Sequence, residues 1–388
     1  MACVSEFGPG GNPFGFLGDL MKMFVTDGPL NWQIARQAAL VAANGGELEP
    51  NVDPLERLRM EELVKIADLH VGDATGMTTG LVSIRAVTRA EWAYHTLDHY
   101  RSLFEGLAEA LTSTGDAVLP VDPGDPEAGL LGNLPQVLGP FFLGAQAGTM
   151  CGHLARQDMG QYGLPIPRPA SNELMVVPGT ITAFAADWSI PVDDVRLWVC
   201  LSELTHHAVL NRPHVRSRME ELLSEFVRGF RVDPTALSTQ IEQLDLANPS
   251  TLPQLFNNPE ALLGAVTTPA QHEVETRLAA LVCAIEGYVD HIVDVVGHRL
   301  INSYGPLSEA LKRRRVTPSD ADQLIHELFG LELSQAAYDR GDKFARGVVE
   351  RAGDDGLARL WRSERELPTP SEVDAPGLWL ERIDLPGE

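Results

Sequence analysis

Asp193-Asp194-Val195-Arg196-Leu197-Trp198-Val199-Cys200-Leu201-Ser202-Glu203-Leu204-Thr205-His206-His207 opens on two acids and then turns apolar over most of its length. Acidic residues suit the first turn of a helix, where they meet the positive end of its dipole. From Val195 to about Leu210 the pattern predicts a helix that is apolar nearly all round, and such a helix is buried. Ser202, Glu203 and His206 are then polar groups set into a core. A buried carboxylate is costly unless it is paired or bound to a metal, so the search for chemistry starts on this helix.

The spacing is informative. In H-E-x-x-H on a helix, the two histidines at i and i+4 share a face and bind zinc, and the glutamate activates a zinc-bound water. Here the frame is Ser202-Glu203-x-x-His206, with the glutamate and the second histidine but serine at the first position. A further ligand can come from a second helix. The clearest helical stripe runs from Gln271 to Ile301 through Val274, Leu278, Leu281, Val282, Ile285, Val289, Ile292, Val293, Val296 and Leu300. Glu286 borders this stripe and is expected to face partly inward. Asp290, Asp294 and His298 follow it at four-residue steps, as metal ligands or as carboxylates that orient a ligating histidine. Gly287 leaves room for another backbone or a substrate.

Outward from these helices the reading is mostly helical. Phe14–Phe24, Trp32–Ala43 and Pro50–Ala67 predict amphipathic helices, and Arg85–Thr114 continues the helical pattern. A turn-rich loop follows at Val121-Asp122-Pro123-Gly124-Asp125-Pro126. Leu131–Met159 is apolar, with Gly144, Gly148 and Gly152 at four-residue spacing, which predicts a buried helix with a close neighbour. Leu174–Phe184 is the strand candidate, a small sheet or hairpin broken at Pro178-Gly179. Val215–Phe230 has the three-four spacing of a helix, residues 232–271 are looser, and shorter helices are expected near 318–329 and 334–352.

Several segments together resemble a bacterial family of zincin-like hydrolases, the zinc-dependent metalloprotease-like proteins. They are Gly11-Asn12-Pro13-Phe14-Gly15-Phe16, Asp187–Leu210, Ile285–Asp294, Arg313–Arg315 with Gly330-Leu331-Glu332-Leu333, and Leu367-Pro368-Thr369 with Trp379. The resemblance implies a mainly α, zincin-like metallopeptidase fold with a small β element before the active-site helix. It implies zinc, with His206 as a ligand and Glu203 as general base; Glu286 as a third ligand extends the pattern. In these terms residues 1–13 form a flexible tail, 14–84 a helical N-terminal extension, 85–366 the zincin-like core and 367–388 a segment that wraps the surface. The departure is Ser202, because a hydroxyl is a poor zinc ligand beside imidazole. His207 lies about 100° round the helix from His206 and cannot easily share its ion. The site is therefore either degenerate or completed by a histidine from elsewhere, such as His291 or His153. Two functions stay open: zinc-assisted peptide hydrolysis, or a catalytically inactive zincin-fold protein that binds a peptide or protein partner or regulates it.

Other constellations read more plainly. His95 and His99, one turn apart after Glu91, look like surface histidines of an amphipathic helix. His272-Glu273 lacks a second histidine. Ser202 has no G-x-S-x-G elbow to make it a nucleophile, and no phosphate-binding glycine loop is present. A net charge of −24 argues against nucleic acid and against anionic membrane surfaces. The basic run Lys312–Arg315 reads as a solvated face, with an anion or partner contact as the alternative. No apolar stretch reaches the roughly 18 residues of a membrane span. The start lacks the pattern of a signal peptide, and four unpaired cysteines, Cys3, Cys151, Cys200 and Cys283, suit a reducing cytoplasm.

Overall fold

The structure is a computed structural model that describes residues 28–46, 49–80, 83–113, 126–169, 171–232, 265–266, 268–316 and 319–386. The expected tail at 1–13, the helix at Phe14–Phe24, the loop at 121–125, most of 232–271 and Cys3 lie outside these residues.

In chain order the elements are α1 (Trp32–Asn44), α2 (Pro54–Thr75), β1 (Ser83–Ala86), α3 (Arg89–His99), α4 (Arg101–Ser113), α5 (Pro126–Gln157), β2 (Glu173–Val176), α6 (Pro178–Asp187), α7 (Val192–Leu210) and α8 (Pro213–Arg228). After the short strands β3 (Arg231–Val232) and β4 (Ala265–Val266) come α9 (Pro269–Leu300), α10 (Tyr304–Val316), α11 (Asp320–Phe329), α12 (Gln335–Leu357), α13 (Pro370–Asp374) and α14 (Pro376–Asp384). The fold is mainly α, as expected, with little sheet. β1 and β2 pair in parallel, Ser83 opposite Glu173 and Ala86 opposite Val176. No described helix is long and apolar enough to cross a membrane.

The strand candidate is only half a strand. Met175 and Val176 are in β2, but Pro178 sits in the first turn of α6, so Thr180-Ile181-Thr182 is helical. Proline lacks the N–H that a helix start leaves unbonded anyway, and its fixed φ suits that position. The residue that read as a strand breaker is a helix starter.

Two helices form the centre. α7 is buried from Val199 through Leu210, and α9 from Ala280 through Val289. They pack on one another, α7 also meets α2, and α9 also meets α8 and α12. The start of α7 is anchored by the residues that open it. Arg196 forms a bidentate pair with Glu56 of α2 (2.7 and 2.5 Å), and Asp194 accepts from the backbone N–H and the hydroxyl of Ser303. On α9, Thr268 and Gln271 make a capping box. Gly287 permits the close approach expected of it: a Cβ there would overlap the backbone of Gly341 on α12, and a Cβ on Gly341 would overlap Cys283.

Candidate functional site

α7 and α9 bring Ser202, Glu203, His206 and Glu286 to one cleft of about 380 Å³, each residue at least nine-tenths buried. His206 Nε2 lies 3.2 Å from Glu286 Oε1. Its other nitrogen, Nδ1, lies 2.9 Å from the Ser202 carbonyl oxygen and 3.5 Å from the Ser202 hydroxyl. A carbonyl only accepts, so Nδ1 carries a proton. Burial alone would lower the His206 pKa, but the Glu286 carboxylate, with Glu203 and the Ser202 carbonyl, outweighs it and holds the imidazole above its ordinary value. The charge state that fits is an imidazolium donating to Ser202 O on one side and to Glu286 on the other. Such a ring has no lone pair to act as base for Ser202, so the pairing of Ser202 with His206 does not make a nucleophile.

Glu203 is occupied differently. Its Oε2 accepts the backbone N–H groups of Gln161 (2.8 Å) and Tyr162 (2.9 Å), which belong to the turn after α5. Burial pushes its carboxyl up to about 7, against the pull of His206 and those two donors. The turn is tied down by its own bonds: Trp92 Nε1 donates to Gly160 O, Arg168 to Gln161 O, and Val177 N to Met159 O. Gly160 lies so close to the Glu203 carboxyl that any Cβ there would overlap it.

His207 is committed elsewhere. Arg216 donates to Asn211 Oδ1, which turns the Asn211 amide N–H toward His207 Nε2 (2.7 Å) and leaves Nδ1 facing the Tyr162 hydroxyl (3.0 Å). Burial, aided by Arg216, takes its pKa down to about 4, so it stays neutral. Of the other predicted candidates, His291 pairs with Asp354 at 2.8 Å, Asp290 with Arg315, and His298 with Asp294, while neither His153 nor His291 lines the cleft. The line Glu286–Asp290–Asp294–His298 is thus not one site. His99 is half-buried against Arg168; burial, aided by Arg168, lowers its pKa to about 4, and His95 stays partly exposed beside it.

The zinc that the resemblance implies needs a donor set. Two ligands on one tetrahedral zinc at about 2.1 Å stand roughly 3.4 Å apart, close to the separation of His206 Nε2 and Glu286 Oε1. The set ends there. Among the described residues no three His, Cys, Asp or Glu side chains converge on a point. A catalytic zinc takes three protein ligands and a water, and the Ser202 hydroxyl lies at the other side of the ring, 3.5 Å from Nδ1. The described residues do not fit a catalytic zinc.

Sequence reasoning missed part of the cleft. Asp158, Arg314, Arg315 and Tyr338 also line it. The basic run is not wholly a solvated face. Arg313 is exposed and pairs with Glu309, but Arg314 turns inward to donate to Gln157 O over the Phe184 ring. Arg315 pairs bidentately with Asp290 over the Tyr338 ring. The available signal was the run's place on a helix: four successive residues cannot all face solvent on a packed one. Asp158 follows α5 outside any periodic pattern, and nothing in the sequence marked it.

A solved structure of a candidate hydrolase with a novel fold from Chloroflexus aurantiacus superposes with a TM-score of 0.65 at 25% identity, covering 92% of this chain and all of that one. None of the curated proteins compared with the sequence matches it. The family of zincin-like metallopeptidases matches residues 30–380. The chain belongs to the zincin-like metallopeptidase family.

Proposed function

We propose that this chain is a zincin-fold binding protein: its cleft takes a peptide or protein segment, and zinc-dependent hydrolysis has been lost with the serine at position 202. The observation that carries this reading is the closed His206–Glu286 pair. A proton between Nε2 and Oε1 does there what a divalent ion does in a peptidase: it holds a histidine and a carboxylate from two helices together. With that proton in place the buried site is balanced, and a core that must stay folded without metal needs such balance. Glu203 supports the same reading. Its carboxyl is raised and held by two backbone donors, so it fixes the turn at 160–162 against α7.

Zinc-assisted peptide hydrolysis with Glu203 as general base is the second reading. It is favoured by the 3.2 Å separation of His206 Nε2 and Glu286 Oε1, which suits two ligands of one ion. Elemental analysis of the purified, tag-free protein beside a His206→Ala control separates the two. We expect no stoichiometric zinc in either, with the protein folded. About one zinc per chain, lost in the control, sinks the first reading. Ser202→His is expected to raise zinc affinity by at least an order of magnitude, because it supplies the missing i, i+4 imidazole on the same helix face. No gain there counts against the ligand geometry drawn from His206 and Glu286.

A further inference from the structure

Asp158 lines the cleft but belongs neither to the His206–Glu286 pair nor to the bonds of Glu203. It is 8% exposed, and its Oδ2 has no hydrogen-bond partner among the described residues. Buried polar atoms are almost always bonded, so an orphan of this kind calls for an explanation. The backbone around it is shaped to keep it. Gly163 sits directly against the Asp158 carboxyl, and a Cβ at that position would overlap both of its oxygens. The same turn thus makes space for two carboxyls, Glu203 over Gly160 and Asp158 over Gly163.

The cations near it make no described hydrogen bond to it and have other partners. Arg314 is close enough to act on Asp158, but it donates to Gln157 O and lays its face over Phe184. Arg168 donates to Thr96 and Gln161 O. Arg315 belongs to Asp290, and His206 to Glu286. On the other side, Asp322 and Glu203 add negative charge near Asp158. Asp322 already accepts from the Ser319 backbone and hydroxyl, and Glu203 from two backbone N–H groups. Of the carboxyls that line the cleft, only Asp158 has a fully buried oxygen with no hydrogen-bond partner among the described residues.

We infer that Asp158 is the anchor of a subsite in this cleft that takes a cationic nitrogen group of the ligand, an ammonium or a guanidinium. The inference rests on the proposal that the cleft is a binding site. A cation suits the position better than a neutral donor, because the cleft lining holds Asp158, Glu203, Glu286 and Asp322 against only His206, Arg314 and Arg315, and the whole chain carries −24. Burial has pushed the Asp158 carboxyl up to about 7. A bound cation therefore displaces the carboxyl's proton to solvent and donates a charge-assisted hydrogen bond to the carboxylate.

The test uses benzylamine, protonated at neutral pH, against benzyl alcohol, its uncharged analogue, titrated calorimetrically into the full-length protein and into Asp158→Asn. Benzylammonium is expected to bind the native protein at least tenfold more tightly than the alcohol, and the preference is expected to vanish in the variant. At pH 6, titrations in buffers of different ionisation enthalpy are expected to show proton release on binding. That second measurement needs only the native protein, so it stands even if Asp158→Asn does not fold. Equal affinities for the two probes, a preference that survives Asp158→Asn, or no proton release overturns the inference. Acetyl-Ala-Lys-Ala-amide and its norleucine counterpart probe the wider proposal. If neither peptide binds while benzylammonium does, the Asp158 subsite stands and the peptide reading falls. If both bind equally and the small probes do not differ, the reverse holds. Ala-Ala-amide with a free amino end, set against the capped lysine peptide, assigns the nitrogen to a chain end or to a side chain.

Discussion

Two helix contacts in this molecule reach their fit by opposite means. Where α5 crosses α1, Gly144, Gly148 and Gly152 lie against Asn31, Ala35 and the Ala39–Ala43 turn, and a Cβ on any of the three glycines would overlap that helix. Side chains have been removed so that backbones can meet, and Ala35, Ala39 and Ala43 are almost wholly buried. Where α7 meets α9, Glu203, His206 and Glu286 are buried instead. The first contact gains close packing and buries no side-chain charge. The second spends stability on desolvating charges and recovers it only through partners that fit. Stability is thus expected to be insensitive to pH at the first contact and sensitive at the second.

The largest effect is expected at the charged contact. His206→Ala leaves Glu286 buried and unpaired, which costs on the order of 3–5 kcal/mol. The folded-state pKa of His206 is raised by Glu286, so its contribution is fully present below about 6.5 and is lost as pH rises through the raised value. Urea denaturation at pH 5 and pH 8 should therefore show the larger penalty at pH 5. A double variant with apolar residues at both 206 and 286 should lose less than the two single changes combined. Additive losses would mean that the pair is not coupled.

Glu203 gives the next effect, and it depends on pH alone. Its carboxyl stands at about 7 in the folded chain against an ordinary 4.5. The folded state holds the proton more tightly, so this contribution is complete below about 4.5 and fades as pH rises through 7. Glutamine cannot ionise. Glu203→Gln is expected to match the native protein or fall slightly below it at pH 4, and to gain on it by pH 8. The swing is on the order of 3 kcal/mol. Parallel stability curves from pH 4 to pH 8 would show that burial has not moved this group.

The two contacts also differ in what could be read from the chain. The glycine spacing named its own purpose, because residues without side chains can serve little else in a helix, and the close neighbour turned out to be α1. Glu203 and His206 announced that something polar was buried, and the stripe of α9 brought Glu286 to them. Their partners were another matter. Glu203 is satisfied by backbone N–H groups some forty residues away, on a turn with no periodic signature. Asp158 sits on that same turn and was invisible for the same reason. Arg314 and Arg315 were hidden by composition, since a run of bases looks solvated until the helix carrying it is seen to pack. At Pro178 the local signal was real but two-valued, a strand end or a helix start, and only the parallel pairing of β2 with β1 decides it.

The smallest effects come from one substitution made twice. Alanine exceeds glycine in helix propensity by about 1 kcal/mol, so Gly→Ala stabilises where there is room. At Gly72 on α2 the new methyl would meet only the Met77 carbonyl oxygen, at 3.8 Å, an ordinary contact. Gly72→Ala is expected to gain up to about 1 kcal/mol. At Gly148 the methyl would run into the Ala35 backbone carbonyl, which belongs to α1 and cannot swing aside as a side chain does. Gly148→Ala is expected to lose about 1–3 kcal/mol despite the same propensity gain. Neither change touches a titrating group, so both should be equal at pH 5 and pH 8. A stabilised Gly148→Ala would show that α1 and α5 can separate without cost. In that case the closeness of this contact would not be what holds the N-terminal helices to the rest of the fold.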